Sequence, residues 1–373
     1  MTGLDGSIKT ALVFAGVIIV AIVGISAWLS TLETEFEPNS IQNENELQTT
    51  TIDKSRFKKA PKIVGIAEYI NTTPEQLEKD IENKVVLYDI WTYSCINCVR
   101  TLPYITAWNE KYSDDGLLII GIHSPEFEFE KDLDNVKIAV EKYGIKYPVV
   151  LDNDWQTWKA FENRYWPRKY IADDEGYIRY DHIGEGAYQE TEKVIQQLLK
   201  ERAMNLGLQV ASAQQLVDLE EFEHSSFRTP ELYFGYKFAQ GRNQLGNSEG
   251  FNPNQDITYT IPAKLEQHKF YLEGTWRNLE GSMKLVSDSG MIKLPYHAKE
   301  VNIVTGNSAT LRIELDGAKL PAEYMGLDIT NEGILNSSED GLYNIIKSDV
   351  AASHLLEIHL DKPGFEIYTF TFG

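Results

Sequence analysis

Val85-Val-Leu-Tyr-Asp89-Ile-Trp91-Thr-Tyr-Ser-Cys95-Ile-Asn-Cys98-Val-Arg100 holds the only two cysteines of the 373-residue chain. Val85–Trp91 is apolar, rich in β-branched and aromatic residues and shorter than a typical helix, so it reads as a buried strand. Beyond Cys95, residues Leu102, Ile105 and Trp108 recur at helical spacing. The cysteines therefore fall where a strand passes into a helix. Positions i and i+3 share a helix face, so the two sulfurs can close a small Cys95–Cys98 disulfide ring. Cys95 stands at the helix N-terminus, where unpaired N–H groups and the dipole favour the thiolate, the reactive form in disulfide exchange. Cys98, one turn inside, is the natural resolving thiol.

Two other uses of such a pair weigh less. Zinc needs about four ligands, and the chain has no further cysteine and only scattered histidines. A purely structural disulfide closing so short a loop constrains little chain entropy. A copper-handling role stays open, because exposed thiols bind soft metals. Exchange between sulfurs calls for neither a metal nor a cofactor. Asp89 is the other unusual residue, since a carboxylate inside an apolar strand is expensive unless used or paired.

Asp89 ahead of the pair, Trp91 between, and Pro103 beyond Cys98 make this stretch resemble thioredoxin-fold oxidoreductases. It resembles most the extracytoplasmic part of DipZ-type proteins, relatives of the TlpA and ResA group. The resemblance implies that Asp89 lies buried beneath the thiols and shuttles protons, and that Pro103 kinks the helix by deleting a backbone donor. Tyr165-Trp166-Pro167-Arg168 resembles the segment that carries a cis-proline opposite the cysteines. Trp166 and Pro167 would then offer main-chain hydrogen bonds to an extended partner. His123-Ser-Pro-Glu126-Phe127 resembles a segment facing the thiols. Trp91, His123 and Glu126 are thus candidates for tuning the thiols; a solvated loop beside the acidic run 126–134 is the alternative for the last two.

Around this centre the chain divides as follows. Residues 1–10 form a short head, and residues 11–29 are an uncharged apolar run that would span about 28 Å as a helix, enough to cross a bilayer. Lys9 before the run and Glu33, Glu35 and Glu37 after it place the N-terminus in the cytoplasm and the remainder outside. Residues 30–59 are polar and read as a flexible linker. Residues 60–204 alternate strands and helices and end in a hairpin and a helix, as a thioredoxin-like α/β layer does. Residues 207–373 carry short strands punctuated by Gly, Pro, Asn and Ser, including 232–238, 269–277, 301–304, 310–315, 354–360 and 366–372. These predict an all-β jelly-roll sandwich. The region resembles the carbohydrate-binding-module-like C-terminal domain of DipZ-type proteins, from Thr229-Pro-Glu231-Leu-Tyr-Phe-Gly235 to the closing Tyr-Thr-Phe-Thr-Phe-Gly373. A glycan is a candidate ligand there, with Tyr271, Trp276 and Tyr296 as a stacking platform or else as core. His354 and His359 point to opposite faces of one strand and cannot chelate together.

The net charge of -21 argues against nucleic acid as a partner. The expectation is a membrane-anchored, extracytoplasmic thiol–disulfide oxidoreductase acting on disulfide-containing envelope proteins. DipZ-type proteins carry a CcdA-like membrane domain that this sequence does not display. A separate CcdA-like donor would therefore recharge the pair. The alternative is a module that binds an envelope glycan or protein, with the redox domain as an accessory.

Overall fold

The computed structural model describes residues 53–210, 215–224 and 228–373. The head and the apolar run 11–29 lie outside the described residues, as does most of the linker. Among the described residues no helix is long and apolar enough to cross a membrane. Residues 54–59, read from sequence as the end of the linker, lie against the 173–178 hairpin. Ile178 donates its N–H to the Lys58 carbonyl, and Lys54 pairs with Asp173 at 2.9 Å.

The first region contains β1 (Glu68–Ile70), α1 (Pro74–Asp80), β2 (Val85–Trp91), α2 (Ile96–Tyr112), β3 (Leu117–His123), α3 (Leu133–Lys142), β4 (Val149–Leu151), α4 (Gln156–Ala160), β5 (Arg168–Ala172), β6 (Ile178–Ile183) and α5 (Tyr188–Asn205). Thr73 starts α1 by accepting the Gln76 N–H with its hydroxyl, and Pro74 fills the first turn where no donor is needed. The sheet runs β1-β4-β3-β2-β5-β6, with β2, β3 and β4 parallel and the outer pairs antiparallel. Strand β2 is central and wholly buried. Its alternation sorts residues between two cores. Val85, Leu87 and Trp91 pack with Leu102, Ile105 and Trp108 of α2 and Ile195 and Leu198 of α5. Val86, Tyr88 and Ile90 pack on the other face with Leu77 and Trp158. The same parity puts Asp89 under α2. Gly121 of β3 permits that packing: a Cβ there would lie 3.0 Å from Trp91 Nε1 and 3.2 Å from the Tyr147 ring.

The second region is a large antiparallel β-structure: β7 (Leu232–Tyr233), β8 (Asp256–Tyr259), β9 (Tyr271–Asn278), β10 (Met283–Leu285), β11 (Gly290–Gly306), β12 (Ala309–Leu315), β13 (Ala318–Lys319), β14 (Ile334–Ser337), β15 (Gly341–Leu360) and β16 (Glu366–Phe372). Strands β9, β10, β16 and β11 close a hydrogen-bonded ring, because β11 pairs with β9 near one end and with β16 near the other. On its opposite edge β11 pairs along its length with β15, which carries β12. Register shifts beside Glu300 and Val301 let the long β11 and β15 serve several neighbours. The expected strand 232–238 stops at Tyr233. Gly235 lies so close to the Glu280–Gly281 backbone that a Cβ would sit 2.3 Å from it. Tyr271, Trp276 and Tyr296 are core residues with at most 1 % exposure, so they form no sugar platform.

The two regions share a core. Phe127, from the loop after β3, is buried with Tyr233, Ala239 and Val304 of the β-domain. Its ring lies 5.7 Å from Phe238 and 5.0 Å from Tyr368. The connecting segment 215–224 straps the outer side of α2, where Tyr104 donates to the Leu219 carbonyl at 2.7 Å. Val217 donates its N–H to Glu192 of α5 at 2.8 Å.

Candidate active site

Cys95 is the N-cap of α2, in extended conformation, and its Sγ accepts the Cys98 N–H at 3.3 Å. The sulfur thus takes up one of the backbone donors that the first turn of a helix leaves unpaired. Cys95 is half-buried, whereas Cys98 is 1 % exposed. Both are free thiols. Burial first, and the Cys95 sulfur second, push the Cys98 thiol well above its ordinary pKa. The inner sulfur therefore needs a base to ionise.

The parity of β2 places a carboxylate on the same buried side. Asp89 is 1 % exposed, and its Oδ1 makes no hydrogen bond to the protein. Burial raises its pKa from 3.8 to about 6, against the opposing pull of Lys169. Lys169 of β5 stands opposite Asp89 in the antiparallel register and is itself fully buried. Its Nζ donates to the Gly184 carbonyl at 3.2 Å. Desolvation lowers the Lys169 pKa while Asp89 and Cys98 raise it. Tyr147 lies within the field of Asp89 on the same buried side. Sequence reading singled out Asp89 but not Lys169, because a lysine in a strand ordinarily signals a solvated face.

The turn between β2 and Cys95 is held by Glu130, a residue the sequence hid inside an acidic run. Its side chain is fully buried. Oε1 accepts the Thr92 hydroxyl at 2.5 Å and the Ser94 hydroxyl at 2.6 Å. Oε2 accepts the N–H groups of Glu126 at 2.6 Å and Phe127 at 2.9 Å. One carboxylate thus ties the cysteine turn to the loop after β3. His123, at the end of β3, is buried, with Nε2 3.3 Å from Thr92 Oγ1. Burial lowers its pKa to about 3, so it is neutral at physiological pH. Trp91 meets His123 edge-on at 5.3 Å and Tyr93 stacks on it at 5.6 Å. Glu126 turns the other way, toward the β-domain, where its Oε1 accepts the Tyr233 hydroxyl at 3.0 Å beside Glu231. Among the three tuning candidates, Trp91 and His123 thus wall the turn, and Glu126 belongs to the seam between the regions.

The Trp166–Pro167 peptide is cis, and Pro167 is buried at the head of β5. Trp166 packs in a cluster with Trp155 and Trp158 and donates Nε1–H to the Ser124 carbonyl at 3.0 Å. On β12 and β15 of the second region, Glu314, Glu357 and His359 bring three ligand atoms within 4.8 Å of one another. Arg312 pairs with Glu314 and Lys293 with Glu357, so this is a charge-balanced cross-strand ladder. His354 pairs instead with Asp316.

A strand–cysteine–helix turn, a buried acid under the inner sulfur and a cis-proline at the head of the next strand define a thioredoxin-like thiol–disulfide oxidoreductase. The family described as Redoxin matches residues 58–199, and the Thioredoxin like C-terminal domain matches residues 229–373. Protein DipZ of Mycobacterium tuberculosis is 35% identical over 318 residues, which cover 84% of this chain and 43% of that protein. The thiol-disulfide oxidoreductase YkuV of Bacillus subtilis is 30% identical over 143 residues, covering 38% of this chain and 94% of that protein. NHL repeat-containing protein 2 of Homo sapiens is 46% identical over 121 residues, covering 32% of this chain and 17% of that protein. The chain belongs to the DipZ-type thioredoxin-fold oxidoreductases, and it spans less than half the length of the DipZ proteins it matches.

Proposed function

We propose that the chain is a membrane-anchored, extracytoplasmic enzyme that reduces disulfides of envelope proteins through Cys95 and Cys98. The single observation that carries the reading is the graded burial of the pair: a half-buried capping sulfur, a buried resolving sulfur and a buried acid of raised pKa beneath it. In the reducing direction the Cys95 thiolate attacks one sulfur of the partner disulfide. The partner's S–S bond breaks and its distal sulfur leaves as a thiolate, giving a mixed disulfide. Cys98 passes its proton to the Asp89 carboxylate and attacks Cys95 Sγ. The second partner sulfur leaves, so two electrons reach the partner and Cys95–Cys98 is oxidised. The cis segment Trp166–Pro167 holds the partner backbone. A separate CcdA-like dithiol donor in the membrane reverses the sequence and recharges the pair. The apolar run 11–29 anchors the chain, with its N-terminus in the cytoplasm, and the β-domain is a jelly-roll of carbohydrate-binding-module type.

Replacing Cys95 by Ser should abolish reduction of a model disulfide, whereas Cys98→Ser should accumulate mixed disulfides whose partners name the substrates. Normal turnover by the Cys95→Ser protein would refute the assignment. A second reading, in which the β-domain binds an envelope glycan or protein, draws on a hollow of about 730 Å³ lined by Tyr236, Asn243, Asn247 and Phe251. Amide and aromatic side chains of that kind suit a polar ligand. Saturable retention of the full chain on envelope polysaccharide, lost on Asn243→Ala, supports this reading; no retention leaves the redox role alone.

A further inference from the structure

We propose that the β-domain is a working part of the thiol site, joined to it by a row of alternating charge that runs from the buried Asp89 and Lys169 through the half-buried Glu185, Arg100 and Glu300. In that row Lys169, Glu185, Arg100 and Glu300 are positioning residues for the acid that receives the Cys98 proton. The inference rests on the thiol-exchange reading above and extends it across the domain boundary.

The row is laid out by geometry. Asp89 and Lys169 face each other in register on β2 and β5, both fully buried. The Lys169 ammonium bonds to the Gly184 carbonyl, which brings it beside Glu185. The Glu185 side chain is 8% exposed, and its Oε2 lies 3.9 Å from Arg100 Nη1. Arg100 follows Cys98 closely on the first turns of α2, and its guanidinium is sandwiched. One face covers the Phe222 ring of the strap at 3.4 Å, and Nη2 donates to Glu300 Oε2 of β11 at 2.6 Å. The row thus starts under the sulfurs and ends in the second domain.

Other groups border it. Cys98 and Tyr147 face Asp89. His182 and the Tyr188 ring, the latter at 5.7 Å, face Lys169. His224 at 3.3 Å and Arg228 face Glu185. An isolated charge so deeply buried would be lost by taking up or releasing a proton. Burial raises the pKa of Asp89 and of Glu185 and lowers that of Lys169, and the oppositely charged neighbours on the row pull against it: Lys169 on Asp89, Arg100 on Glu185, and Asp89 and Glu185 on Lys169. A change at Glu300 is then felt at Asp89 through Arg100, Glu185 and Lys169, with a sign set by alternation.

The test follows the reduction potential of Cys95–Cys98 in the full chain against pH, in dithiothreitol buffers. The pH at which the slope bends marks the titration of Asp89, which the wild type should show near pH 6. Removing a cation should move the bend up, and removing an anion should move it down. Lys169→Met and Arg100→Gln are therefore expected to raise it, and Glu185→Gln and Glu300→Gln to lower it, by about half a pH unit or more for Lys169→Met and by less with each step along the row. Lys169→Arg should stay with the wild type. Residues that served only packing would not order their shifts by charge. Bends that do not move, or that move one way whatever the charge removed, would overturn the proposal. Should Lys169→Met fail to fold, Arg100→Gln and Glu300→Gln carry the same opposed signs. A wild-type pair that never exchanges with dithiothreitol would sink the thiol reading itself, a distinct result from an unmoved bend.

Discussion

An acid that accepts a proton from a buried thiol has to tolerate two charge states in one unchanging place. The role proposed for Asp89 asks this of it, at a cost to folding. Its pKa is 3.8 by ordinary standards and about 6 here, so the native state holds the proton more tightly than the unfolded chain. The favourable contribution is complete below about pH 4 and disappears as pH rises through about 6. The difference is worth about 3 kcal/mol at roughly 1.4 kcal/mol per unit. Asp89→Asn should accordingly match the wild type in urea unfolding at pH 4 and exceed it at pH 7.5. The gain will fall short of about 3 kcal/mol because Lys169 loses its partner. The same substitution should slow resolution of the mixed disulfide severalfold by removing the proton acceptor. Equal stability gaps at both pH values would contradict the titration assigned to Asp89.

At the level of elements, the cysteine turn is shaped as much by Glu130 as by its own residues. Replacing Glu130 by Ala strands the Ser94, Glu126 and Phe127 N–H groups and should cost at least about 3 kcal/mol in urea unfolding. It should also shift the Cys95–Cys98 reduction potential, since Thr92 and Ser94 lose their tether next to the sulfurs. The sequence announced the strand, the helix start and the unusual acid, because a short β-branched and aromatic run, a cysteine spacing and a lone carboxylate in an apolar run are local signals. Glu130 gave none: it is one of several acids in a stretch that otherwise reads as solvated. Lys169 and Arg100 were silent for the related reason that their partners are distant in the chain. Strands β11 and β15 run beyond the stretches expected, and the register shifts beside Glu300 and Val301 interrupt their pairing without ending the hydrogen-bonded ladder.

For the molecule as a whole, the two regions described from Lys54 onward form one compact unit. Phe127 is the plug of one region seated in the other. Truncating it to Ala removes a buried ring from the shared core and should cost about 3–5 kcal/mol. The full chain should melt in one calorimetric transition, and Phe127→Ala should split it into two; a single unsplit transition in the variant would mean that the seam is not held there. The unequal exposure of the two sulfurs also governs traffic. Only Cys95 offers a sulfur to the outside, so in the proposed cycle the molecule has one port for both the electrons coming in and those going out. Donor and acceptor must take turns at it, and no complex containing both can turn over. Double-reciprocal plots of initial rate at several donor concentrations should therefore run parallel, the signature of a ping-pong cycle, whereas converging lines would require a second entrance.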